Sequence, residues 1–274
     1  MFSYGLGMWA AEPKSIPMNV ALEIIRDAVD VAEATADRAI ETPSDLASLS
    51  MIFLARASQS LCSVGVLAER GLIGDALSVA RTVVELSIDY KYIVKDAATR
   101  IAMFYSYDHV SKFKLAKAVD KLHGGGVSPA ALTTLKQWRD THKVNYPDSN
   151  QNWAGKAIRD RAVEVGRESM YTLMYTEMCD ASHSGYGTLE FALVDLDSDP
   201  KVHFGPMMPS GRPITLVAGA MMMMIGDVII ACNLEQEALL VERVKALAAK
   251  LESAMTATVP AIPGPDQLQT PEAT

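Results

Sequence analysis

From Val20 onward apolar residues recur at intervals of three and four, and almost nowhere do they alternate one by one with polar residues. The first spacing lines one face of an α-helix and the second one face of a strand, so the chain is predicted to be all-α. Breakers divide the pattern into helices over 17–40, 46–69, 73–95, 97–122, 129–142, 153–183, 214–233 and 235–255, a single bundle of about seven or eight helices. Ser44 or Asp45 caps the second helix, and the glycines at 124–126 end the fourth, where a helix would tolerate them only at a cost. The one strand signal is a candidate small β-hairpin near 191–204, pairing 191–194 with 201–204. Residues 1–16 are expected to form an N-terminal arm, 17–256 the helical domain, and the Pro-rich 257–274 a disordered C-terminal tail.

The chain has 274 residues, is 49% hydrophobic and 21% charged, and carries a net charge of −8. That is apolar enough for a folded core and too acidic overall for a general polyanion binder. The window 112–167 departs from this balance, with 7 Lys and 4 Arg against 4 Asp and 1 Glu. Aromatic residues Phe113, Trp138, Tyr146 and Trp153 are interleaved with these bases. Lys114, Lys117, Lys121, Arg159 and Arg161 are therefore candidate nucleic-acid contacts, with RNA as the partner, against the plainer reading of a solvated helix face.

Cys62, Cys179 and Cys232 are far apart and have no metal or redox spacing, which fits small buried side chains in a reducing compartment. No secretory signal is evident, and a cytoplasmic location is expected. The apolar run at 214–232 is interrupted by Asp227, a carboxylate that would be costly in lipid. A buried core or interface helix is expected there rather than a membrane span. The run carrying Met221 and Met224 is the expected contact for a homo-oligomer.

The helix over 73–95 holds the most informative polar pattern. Asp75, Ser78, Arg81, Glu85 and Asp89 recur every three or four residues along one stripe, while Ile73, Leu77, Ala80, Val84, Ile88 and Tyr92 fill another. Charges inside an otherwise apolar helix must be satisfied by something. Tyr171, Tyr175, Ser182 and His183, near the end of the 153–183 segment, are the expected partners. Together they make a candidate site in which Arg81, Glu85, Tyr175 and His183 are catalytic candidates and Asp89, Tyr171 and Ser182 ligand-binding candidates. The competing reading is an Arg81–Glu85 i,i+4 pair that only locks packing.

Leu72 to Leu86 with its Asp75, Arg81 and Glu85, then Tyr92, Tyr171, Tyr175 and Ser182-His183, together resemble the family known as domain of unknown function 5677, over about 46–187. The resemblance implies an all-helical intracellular bacterial or phage protein with no settled activity; a defence-related role is a separate expectation. A looser similarity is to HEPN helical ribonucleases, whose motif is an Arg followed four to six residues later by His. That motif is missing: Arg139 to His142 is too short, Arg100 to His109 too long, and no Arg stands at the needed distance before His183. The expected function is a binding or interaction module, with a metal-independent ribonuclease as the alternative.

A carboxylate-bridged metal bundle is a second alternative. It would use Asp120 with His123, Asp180 with His183, and Glu85, but it lacks a fourth carboxylate helix. No cofactor or metal is implied.

Overall fold

The computed structural model describes residues 16–41, 43–142, 152–176, 178–179, 193–194, 201–202 and 211–256. They form an all-α bundle: α1 (Met18–Ile40), α2 (Asp45–Glu69), α3 (Ile73–Lys95), α4 (Ala97–His123), α5 (Pro129–His142), α6 (Ile158–Glu164), α7 (Glu168–Met170), α8 (Arg212–Ala231) and α9 (Ala238–Thr256). Strands β1 (Leu193–Val194) and β2 (Lys201–Val202) pair antiparallel, Leu193 opposite Val202. This is the kernel of the hairpin expected near 191–204. The terminal segments 1–15 and 257–274 lie outside the described residues.

The helix boundaries follow local chemistry. The Ser44 side chain accepts the Ala47 amide at 3.0 Å and opens α2, and the Ser128 hydroxyl does the same for Ala131 at 3.2 Å at the start of α5. Gly71, at φ 73, closes α2, and Gly124, at φ 60, closes α4, where a left-handed residue satisfies the last carbonyls at least cost.

The expected single helix over 153–183 is not continuous. Trp153 and Ala154 sit in a turn before α6, Gly166 at φ 72 breaks the chain after it, and α7 passes into a π-helical turn, Tyr171–Tyr175. The apolar spacing runs through both segments, so periodicity alone conceals the break.

α3 and α8 form the centre. Helix α8 packs on α1, α2, α3 and α9, and Met221, Met222 and Met224 are all buried in this core. Three of the four methionines therefore face the bundle's own interior, and Met223 is partly exposed, so the expected homo-oligomer contact through Met221 and Met224 has little surface at this run. Both α2 and α8 are long and apolar enough to cross a membrane, but 78% of the apolar window of α8 is buried inside the bundle. Asp227, which interrupts that window, has found internal partners.

One close approach locks the start of α8. A Cβ on Gly211 would lie 2.7 Å from the Ile16 carbonyl oxygen, so backbone would have to move. Gly211→Ala is expected to cost about 1–3 kcal/mol, read as a lower melting temperature with an unchanged helical circular-dichroism spectrum.

Candidate functional site

The polar stripe of α3 is resolved into separate partnerships, each made with a different element. At its N-terminal end the Ser78 hydroxyl donates to the Gly74 carbonyl at 3.0 Å, which removes Ser78 from the site. Asp75 is exposed in the first turn, where a negative charge suits the helix dipole.

One turn further, the Arg81 Nε lies 3.1 Å from the Glu85 Oε1. The Tyr175 hydroxyl donates to the same oxygen at 2.7 Å. The Arg81 guanidinium stands 5.5 Å from the Tyr175 ring centroid, and the Tyr171 ring stacks on Tyr175 with centroids 5.0 Å apart. Tyr171 and Tyr175 are the first and last residues of the π-helical turn and, four positions apart, lie side by side on one face.

Arg81 and Glu85 retain 27% and 36% of their side-chain exposure, so this end of the stripe is in contact with solvent. Burial and the Glu85 carboxylate push the Tyr175 hydroxyl far up. It stays protonated near neutral pH, as a donor and not as a base. Burial pulls the Arg81 pKa down, and the fields of Tyr175 and Glu85 more than restore it.

Asp89 faces the other way. Its Oδ1 is 2.8 Å from the Arg161 Nε, and the Trp153 indole donates to its Oδ2 at 3.2 Å. Arg161 also donates to the Lys156 carbonyl at 2.9 Å. Burial pushes the Asp89 carboxyl up to about 6 against the pull of Arg161 and Trp153. Arg161, expected on a nucleic-acid surface, is only 5% exposed. It serves as the counter-charge of a buried carboxylate.

A third cluster was not foreseen as one. Arg167 bonds the Asp227 carboxylate and the Ser87 hydroxyl and donates to the Ser87 carbonyl at 2.8 Å. The Lys91 ammonium meets the other Asp227 oxygen at 2.6 Å, and the Ser87 hydroxyl donates to the Ala220 carbonyl at 3.0 Å. The network ties α3, α8 and the chain after Gly166 together. Asp227, out of place in an apolar helix, was its visible signal. Arg167, counted only as part of a basic window, gave none.

Lys114, Lys117, Lys121 and Arg159 are exposed. Ser182, His183 and Asp180 lie outside the described residues. Among the described residues no cluster of three His, Cys, Asp or Glu side chains is placed to hold a metal. Asp120 and His123 stand near the end of α4, in a stretch where no residue is buried.

A family model described as a family of unknown function, DUF5677, matches residues 47–201, more than half of the chain. No curated protein and no solved structure matches.

Proposed function

Since the chain belongs to the DUF5677 family of unknown function, which passes on no activity, we propose from the site itself that the protein is a binding module for a nucleotide-like ligand. One observation carries this reading. The Glu85 carboxylate is shared by Arg81 on its own helix and Tyr175 from the π-helical turn, and the charged pair is still partly open to solvent. Here the stacked tyrosines offer a ring face, Arg81 a cation for an anionic group, and Glu85 an acceptor for a base-edge donor.

The test is a thermal shift with nucleoside monophosphates at millimolar concentration. A ligand at about 100 times its Kd adds about 2.7 kcal/mol. Arg81→Ala removes the partly exposed pair with Glu85 and the contact with the Tyr175 ring, about 1 kcal/mol together, and is expected to lower the melting temperature by about 2–4 °C. It is expected to lose the ligand-induced shift. An unshifted wild type, or a variant that shifts equally, overturns the reading.

A second reading, metal-independent cleavage of RNA through Arg81, Glu85, Tyr175 and His183, is favoured by one observation: Arg81 and Tyr175 converge on one Glu85 oxygen at the partly exposed end of the stripe. Wild type incubated with mixed RNA beside Arg81→Ala and His183→Ala should then cleave more than either variant. Equal cleavage by all three disposes of it.

A further inference from the structure

Beyond Phe113 the chain leaves the bundle. No described side chain between 114 and 141 is buried, although this stretch forms the last ten residues of α4 and nearly all of α5. The two helices touch through His109 against Trp138, with ring centroids 5.7 Å apart, and through Arg139 over the Phe113 ring at 4.3 Å. A two-helix arm with no buried residue recovers little of the entropy lost in ordering it.

Its free face is patterned. Leu115, Ala118 and Leu122 fall at i, i+3 and i+7, one stripe of α4, and the two leucines are 66% and 79% exposed. Lys114, Lys117 and Lys121 have the same spacing and form the neighbouring stripe. An apolar stripe edged by cations fits an apolar groove edged by anions. The aliphatic stripe favours a protein partner, since phosphate contacts alone call only for the lysines.

Such a groove lies between α1 and α2. Two hollows of about 600 and 290 Å³ share Val29 and Cys62. Small and apolar side chains, among them Ala32, Ala36 and Leu54, line the first. Asp30, Glu33 and Glu69 stand at the rim against one cation, Arg26.

We propose that a second copy of this chain occupies the groove. The Leu115–Ala118–Leu122 stripe of one protomer seats between α1 and α2 of its partner, Lys114, Lys117 and Lys121 face the acidic rim, and a two-fold axis makes the exchange reciprocal. The contact is independent of the nucleotide-binding reading and uses neither Arg81 nor Glu85.

The test is sedimentation of the full chain. Wild type is expected as a dimer, and Lys114→Glu/Lys117→Glu/Lys121→Glu as a monomer, with association weakened roughly tenfold or more. Mixing that variant with Asp30→Lys/Glu33→Lys should restore a hetero-pair by opposite charges. Independently, Ala118→Cys should form an inter-chain disulfide with the exposed Cys62 on mild oxidation, and Cys62→Ser should abolish it.

A wild type that stays monomeric at about 100 μM, or a dimer indifferent to the reversals, overturns the proposal. A monomer whose arm lysines retain single-stranded RNA or anionic vesicles overturns it in favour of that polyanion.

Discussion

Replacing Asp227 with Leu is expected to lower the melting temperature by roughly 10 °C. The arithmetic starts from burial. Asp227 is 6% exposed and Arg167 8%, and taking two such charges out of water is tolerated only because each is the other's main compensation. Removing the carboxylate leaves a guanidinium with no counter-charge facing the Ser87 and Met223 carbonyls. Burial already pulls the Arg167 pKa down, and Asp227 holds it up. Breaking one side of a buried pair costs about 3–5 kcal/mol, and a domain of this size loses about 2–4 °C per kcal/mol.

Lys91 is spared the same cost, since it keeps 35% of its side-chain exposure and can return to water. The decisive comparison is the double variant Arg167→Met/Asp227→Leu. If the pair is a mutual compensation, replacing both partners recovers most of the loss, because an apolar pair of similar volume needs no counter-charge. A double variant as unstable as the single one would mean that the bonds to Ser87 and Met223, and not the ion pair, hold α3 to α8.

The same network explains what was legible in the amino-acid pattern and what was not. Helices were legible because apolar spacing is a local property, and so was the end of α4 at Gly124. The break at Gly166 was not. Apolar residues at helical spacing continue on both sides, and Ala162, Met170 and Met174 are all buried, so the pattern reads as one helix whether or not the chain turns between them.

Charges were harder still. The α3 stripe announced that Arg81, Glu85 and Asp89 needed partners, yet periodicity says nothing about which distant residue faces a given turn. Arg161 and Arg167 look like solvated bases in a basic window. The fold spends both on buried carboxylates, Asp89 and Asp227, which are 72 and 60 positions away along the chain by the numbering. The methionine run shows the same limit of a local pattern. A helix apolar nearly all round is mostly buried, and α8 packs on α1, α2, α3 and α9 of its own chain, with Ile230 left exposed.

Asp89 gives the second large effect, one that depends on pH. In the unfolded chain its carboxyl titrates near 3.9, and in the fold burial pushes it up to about 6. The folded state therefore holds this proton more tightly than the unfolded one. The stability it contributes is fully present below about pH 4 and is lost as pH rises through about 6, a change of about 3 kcal/mol. The melting-temperature difference between wild type and Asp89→Asn should fall steadily from pH 4 to about pH 6.5 and then stay flat. The fixed cost of the amide cancels from that slope. Arg161 supplies the strongest pull that keeps the pKa from rising further, so Arg161→Met should move the window to higher pH and leave Asp89 neutral at pH 7. A difference independent of pH between 4 and 7 would mean that Asp89 is ionised throughout, as an ordinary carboxylate is.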